Sequence, residues 1–393
     1  MQLLPKFTSI DYLAQANTLA AEFAQTAIER DKAGGTPLAE RDRLRESGLL
    51  KLIIPQEYGG LGEGWDTVLK ITRKFAEVDS SIAHVFSYHH LSVVSPHLFG
   101  SLEQRKHYYT LTTKNNWVWC NGFNPLDRRV ILTPEGSHFR INGTKSFCSG
   151  SVDSDLIPLT IVQEDVEGFR IAIVPTQREG VVVNQDWDNM GQRQTDSGSI
   201  TFNNVFIEAD EILTPDPARA VFKTFRSCLT QITFTNIYLG ITLGAFAAAK
   251  EYTQTSTRAW LTSGVEKATD DPYILQHYGE MWMNLEAAIL LTDRATQLVQ
   301  TAWEKQENLS AVERGECAIA IATAKAFVTK LGLELTSKIF DVMGTRSTHS
   351  RYGFDRYWRN LRTFTLHDPV DYKVKAIGDW VLNDQFPTPD FYS

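Results

Sequence analysis

The chain has 393 residues, 42% of them hydrophobic and 22% charged, with a net charge of −8 at neutral pH. That length holds two or three domains with a large core, and the composition excludes a disordered chain. The two signs of charge are interspersed, so no basic patch points to nucleic acid, and a small-molecule or protein partner is expected.

Apolar residues fall at helical spacing from Ile10 to about Arg30, through Leu13, Ala16, Leu19, Ala20, Phe23 and Ala27. A second helix, Leu38 to Ser47, ends at Gly48, a natural C-cap. In LLKLIIPQEYGGLGEG an apolar strip meets a proline stop, and paired glycines force a loop. Asp66–Val78 and Ser81–Leu98 are expected helices, the second carrying His84, His89, His90 and His97. Residues 1–115 are thus expected to form an N-terminal α-helical domain.

Near Trp117 the period changes. Trp117 and Trp119 alternate with smaller residues. Arg129–Leu132 and His138–Ile141 flank the turn residues Pro134-Glu135-Gly136-Ser137. Asn142-Gly143 is expected as a second turn leading into KSFCSGS. LIPLTIV, GFRIAIV, GVVVN and SITFNNVFI follow at short intervals, so residues 116–213 are expected to form a central antiparallel β-sandwich or barrel. Helical periodicity returns at about Asp216, with long helices near 216–262, 271–307 and 310–343, and residues 214–393 form a C-terminal helical bundle. Gly240 and Gly244, one turn apart, suggest a close helix approach. The fold class is α+β and multidomain, in the order helical, β, helical.

The last stretch carries the most chemistry. Arg356, Arg359 and Arg362 recur every three residues, beside an apolar stripe of Phe354, Trp358 and Leu361. Asp368 is expected to cap a final helix with Pro369 at its first position, and His367 sits just before that corner. From the residues alone His367 is either a helix-end histidine or a proton-trading group near neutral pH. Ser149 and Asn121 are either turn and strand-end residues or hydrogen-bonding groups of a site. Trp187 is either core or a pocket wall. Arg258 and Arg346 are either solvated or phosphate-binding, and small residues around Arg346, including Gly344, would let backbone amides approach a phosphate. Cys148 has no neighbouring base and is expected as a small buried hydrophobe. His84, His89 and His90 lack the i, i+4 pairing of a helical zinc site, so no metal is expected. Cys120, Cys148, Cys228 and Cys317 form no CxxC pair. They fit a reducing cytoplasm, and no stretch approaches the ~20 apolar residues of a membrane span.

LRESGLLKLIIPQEYGGLG, the three-part order and the arginine-rich penultimate helix together resemble the acyl-CoA dehydrogenase superfamily, from about Leu38 to Lys375. Dehydrogenases of that superfamily carry Tyr-Glu-Gly after the basic helix, and the Glu removes the substrate's α proton; here His367, Asp368 and Pro369 stand there. A Trp-containing motif near the flavin is replaced by Phe147-Cys148-Ser149-Gly150, and Arg-x-x-Phe by Arg258-Ala259-Trp260-Leu261. With TRAWLTSGVEKATDDPY, GTRSTHSRYGFDRYWRN and TLHDPVDYK, these departures resemble the flavin-dependent monooxygenase branch that includes dibenzothiophene monooxygenase.

The resemblance implies a two-component monooxygenase. Reduced FMN would come from a separate flavin reductase and react with O2 to a C4a-hydroperoxyflavin, which oxygenates a small sulfur-containing or aromatic substrate. It also implies a cytoplasmic homotetramer in sulfur metabolism. Catalytic roles fall to His367, Ser149, Asn121 and one of His89 and His90. Flavin contacts fall to Phe147, Ser149, Asn121 and Trp187, with Arg258, Arg346 and Gly344 at the phosphate. The alternative is an FAD-dependent acyl-CoA dehydrogenase or oxidase with Asp368 as a shortened base. A third reading is a flavin-fold protein that only binds partners.

Overall fold

The computed structural model describes residues 11–164, 166–215 and 217–393. The expected helix start at Ile10 and bundle start at Asp216 lie outside the described residues. Among the described residues seven α-helices come first: α1 (Tyr12–Ala24), α2 (Ala27–Ala33), α3 (Leu38–Ser47), α4 (Trp65–Val78), α5 (Ser80–Val93), α6 (Ser95–Phe99) and α7 (Leu102–Asn115). The single helix expected over Ser81–Leu98 is two. Val94 interrupts it, and Pro96 sits in the first turn of α6, where a missing N–H costs nothing. Every residue of α5 is buried, so this helix runs through the interior and carries its histidines with it.

Six strands follow: β1 (Ile131–Glu135), β2 (His138–Lys145), β3 (Leu156–Gln163), β4 (Arg170–Pro175), β5 (Val181–Val183) and β6 (Ile200–Ile207). Their order is β4-β3-β1-β2-β6-β5. All neighbours pair antiparallel except β1 and β3, which are parallel, so the sheet is mixed where an antiparallel one was expected. The cause is the segment after β2 that holds the Phe147-Cys148-Ser149 loop: the chain reverses but passes β1, so β3 pairs on the far side of β1 and runs parallel to it. Two local expectations also change. Trp119 makes only an isolated bridge to Leu156. Asn142-Gly143 is a bulge inside β2, where the register against β6 shifts at Gly143 (φ 127), whereas the other expected turn forms at Gly136-Ser137.

The bundle comprises α8 (Ala220–Lys223), α9 (Phe225–Thr255), α10 (Pro272–Lys305), α11 (Ala311–Met343), α12 (Asp355–Thr365) and α13 (Val370–Asn383). Asp271 caps α10 by accepting from the Tyr273 amide at 2.9 Å, and Ser310 with Glu313 forms a capping box on α11. The segment Pro217–Thr255 is long and apolar enough to cross a membrane, contrary to the reading of the sequence, but 78% of its most apolar window is buried inside the protein. Its apolarity serves the core, because α9 is packed between α4, α10 and α11. Gly240 and Gly244 make the α4 contact: a Cβ at either would strike the carbonyl oxygen of Arg73 or Glu77. The helical parts share one hydrophobic core, and the sheet has its own around Leu132, Leu159 and Phe202. On α12, Tyr357, Leu361 and Phe364 turn inward, whereas Trp358 is 39% exposed and leaves the expected stripe.

Candidate active site

A cavity of about 1440 Å³ lies where α5, the β2–β3 crossover, the start of α9, the end of α12 and the C-terminal segment meet. Single small-molecule pockets usually span about 300–1,000 Å³, so this one has room for a large ligand and a small one together.

The crossover loop supplies one wall. Phe147 adopts a positive φ of 60, uncommon for a bulky residue, and its ring meets Trp187 edge-on at 6.4 Å. Asn121 holds this conformation: its Nδ2 donates to the Phe147 carbonyl at 2.9 Å, and its backbone amide donates to the Ser149 carbonyl at 2.9 Å. Ser149 Oγ and Ser197 Oγ share a 2.7 Å hydrogen bond, and Ser197 shares another of 2.7 Å with Thr195, giving a buried chain of hydroxyls on the cavity wall. Trp187 Nε1 donates to the Gln192 carbonyl at 2.8 Å, and Asn360 of α12 accepts from the Gln192 amide at 2.7 Å, which ties the sheet to the bundle. Cys148 is fully buried and burial pushes its thiol well above the ordinary 9.0, in keeping with a packing role.

On α5 the histidines separate differently from expectation. His89 Nε2 donates to the Leu50 carbonyl at 2.8 Å and its Nδ1 accepts from the Trp119 amide at 3.1 Å, so the ring clamps two chain segments. His90 packs edge-on against Phe86 at 4.7 Å. Neither lines the cavity; His84 and Tyr88 do. The reason is helical phase: Tyr88 lies about 40° from His84 around the axis, whereas His89 and His90 lie about 140° and 120° away on either side. The i, i+4 pairing of His84 with Tyr88 was the available signal. Their rings stack at 4.4 Å. Burial draws His84 down to about 3, with the charges of His367 and Arg41 acting the same way, so it is neutral at pH 7. Among the described residues, neither of its ring nitrogens has a hydrogen-bond partner.

The corner after α12 also differs. α13 begins at Val370 with Pro369 in the cap position, and Asp368 caps nothing. Its carboxylate turns inward, 2.6 Å from Lys325 Nζ, 3.0 Å from His367 Nδ1 and 3.6 Å from Lys373 Nζ. Gln231 Nε2 donates to it at 3.4 Å. A buried lysine on α11 outcompetes the exposed helix start because an unpaired interior charge costs more than an unmade cap. Burial alone would raise the Asp368 pKa, but His367 and the two lysines hold it well below the ordinary carboxylate range. Asp368 does not line the cavity and is unsuited to removing a proton, which overturns the dehydrogenase alternative. His367 does line it, with its side chain 34% exposed and its ring against Phe234 at 4.5 Å. Burial lowers its pKa and the Asp368 hydrogen bond opposes that shift.

Arg258, Arg346 and Gly344 stand apart from this cavity. Arg346 donates to the Ser256 carbonyl at 2.7 Å. Arg258 borders a smaller hollow of about 520 Å³ beside Trp260 and Leu261, which are 69% and 94% exposed. Within one chain these arginines do not meet Ser149 or His367.

Comparison with known proteins agrees along the whole length. Models of the acyl-CoA dehydrogenase N-terminal, middle and C-terminal domains match residues 13–115, 124–205 and 232–372. A probable FMNH2-dependent monooxygenase SfnC of Pseudomonas putida is 47% identical over 97% of each chain. The structure of methanesulfinate monooxygenase MsuC from Pseudomonas fluorescens superposes with a TM-score of 0.94 at 49% identity, covering 100% of both chains. The dibenzothiophene monooxygenase TdsC from Paenibacillus sp. A11-2, solved with FMN and indole, gives 0.92 at 43% identity, over 97% of this chain and 99% of that one. The chain belongs to the acyl-CoA dehydrogenase superfamily, in its flavin-dependent monooxygenase branch.

Proposed function

We propose that this flavin-dependent monooxygenase is the oxygenase half of a two-component system. It takes reduced FMN from a separate flavin reductase and uses O2 to oxygenate a small sulfur-containing or aromatic substrate, as a cytoplasmic homotetramer in sulfur metabolism. One observation carries this reading. His84, Asn121, Ser149 and His367 converge on one large cavity, while Asp368, at the position of a dehydrogenase base, is sealed behind His367 in an ion network.

The cavity residues fit a flavin. Phe147 and Trp187 offer aromatic surface, the Ser149 hydroxyl and the amide-braced loop offer polar contacts, and His84 lines the same space. Bound there, reduced FMN supplies the two electrons that divide O2 into a transferred atom and water. The protein's own contributions are positional. With Nδ1 bonded to Asp368 and no partner for Nε2 among the described residues, His367 can hold or deliver a proton at the reacting oxygen. Neutral His84, stacked on Tyr88, adds ring surface to the wall and no charge. Phe99, Phe123 and Phe169 exclude water from the substrate end. The assignment of Arg258, Arg346 and Gly344 to the FMN phosphate requires a second copy of the chain. Exposed Trp260, Leu261, Trp282 and Met283 provide apolar surface for that contact.

The test is to load the protein with FMN, reduce it anaerobically, mix it with O2 and one substrate, and count oxygenated product against hydrogen peroxide. Methanesulfinate and indole are the first compounds to offer. The expected result is nearly one product per flavin oxidised, with His367→Ala diverting most turnover to peroxide. Peroxide as the sole outcome with every sulfur and aromatic compound tried would overturn the reading.

A further inference from the structure

Arg226, in the first turn of α9, lines the cavity and is only 6% exposed. Its Nη1 donates to Thr230 Oγ1, its guanidinium carbon lies 5.1 Å from the Phe123 ring, and its Nε has no hydrogen-bond partner among the described residues. Among those residues it forms no ion pair, and the titratable group acting on it is the Tyr88 phenol. Arg41 pairs with Asp196 and Arg219 reaches Glu307, whereas Arg314, which does not line the cavity, is met by the oxygens of Thr224, Ser227 and Ser393. Burial draws the Arg226 guanidinium down to about 10, which leaves it charged at neutral pH. A buried charge without a counter-charge is unfavourable, and a hydroxyl and an aromatic face compensate only part of it. An anion in the cavity would complete it.

The neighbouring groups define that anion. Ser227 and Thr230 line the cavity on the same helix, but their hydroxyls donate to backbone carbonyls, which leaves the guanidinium as the donor on this face. Phe123 stacks on Phe99 at 5.6 Å and meets Phe169 edge-on at 5.8 Å, forming a compact apolar wall. We infer that Arg226 is a specificity residue that binds an oxyanion of the substrate, which makes the substrate a small alkanesulfinate rather than a neutral heterocycle. The inference rests on the monooxygenase reading above, which requires an oxidisable atom. A sulfinate carries two oxygens that match the guanidinium fork and keeps a lone pair on sulfur to accept oxygen. A sulfonate has the charge but no such lone pair.

The test uses protein loaded with oxidised FMN, which binds substrate without turning over. Calorimetric titration should give tighter binding of methanesulfinate than of uncharged dimethyl sulfoxide, by tenfold or more. Arg226→Met should weaken methanesulfinate binding by roughly tenfold to a hundredfold, with Arg226→Lys in between, and should weaken dimethyl sulfoxide binding far less. Equal affinity for methanesulfinate and dimethyl sulfoxide in the unaltered protein would overturn the inference, whatever the variants do. So would undiminished methanesulfinate binding in Arg226→Met. Binding that depends on Arg226 without oxygenation of any compound would leave the anion site standing and remove the monooxygenase reading instead.

Discussion

Asp368→Asn removes one charge and almost no volume, and its consequences can be worked from distances. Lys325 is 2% exposed and Asp368 4%, with Nζ and Oδ1 2.6 Å apart, and Lys373 is 3.6 Å from the other oxygen. The substitution strands two ammonium groups in the interior. Removing one partner of a buried pair costs about 3–5 kcal/mol, and because the asparagine oxygen still accepts from Lys325, the lower end, about 3 kcal/mol, is expected. Urea unfolding at pH 7 of the parent, Asp368→Asn and Asp368→Asn/Lys325→Met measures this, and the double variant should recover part of the loss by deleting a stranded charge. The pH dependence has a definite sign. Asp368 titrates below its ordinary 3.8 in the folded protein, so its contribution is present above about pH 4 and is lost as pH falls. Parent and variant should therefore converge in acid. The same change removes the carboxylate charge that helps to raise the His367 pKa against burial, so the His367-dependent limb of the pH–rate profile should move to lower pH. An Asp368→Asn protein of parental stability, with that limb unmoved, would refute the account.

Two further outcomes are expected. His84 is held at about 3 against an ordinary 6.5, so between those values the unfolded chain takes up a proton that the folded one refuses, and stability falls with pH. At pH 5 this is about 2 kcal/mol, and His84→Phe should lose that much less stability than the parent between pH 7 and pH 5; an unchanged difference in urea midpoints would count against a neutral His84. Gly244→Ala should cost about 1–3 kcal/mol, since its Cβ strikes the Glu77 carbonyl, whereas Gly279→Ala on α10 meets nothing within 4 Å and should gain up to about 1 kcal/mol. Thermal unfolding of the two variants checks the contrast.

Much of the molecule was legible in the chain. Periodicity located the long helices of the bundle, the glycine pair marked the α4–α9 contact, and the motifs around Ser149 and His367 led to residues that share one cavity. Local pattern failed where a distant group decided the outcome. Asp368 before Pro369 has the local form of a cap, and only Lys325, 43 positions away, turns its carboxylate inward. The β1–β3 pairing is parallel because the chain passes β1 before β3 pairs, which no strand's own alternation records. The resemblance placed a histidine of this helix at the site without saying which, and His89 and His90 were both named. The buried face of α5 is continuous all round, so no polar side marked which histidine meets the cavity.

By itself, then, the sequence determined the order of elements, the family and the kinds of side chain at the site, because these depend on residue type and spacing along one helix or loop. Tertiary structure alone decided which of them act together. It set the phase that turns His84 and Tyr88 into the cavity, the ion network that takes Asp368 away from it, and the lack of a carboxylate partner for Arg226 among the described residues. Burial and counter-charge are properties of the space around a group, and that space is enclosed by segments far apart in the chain.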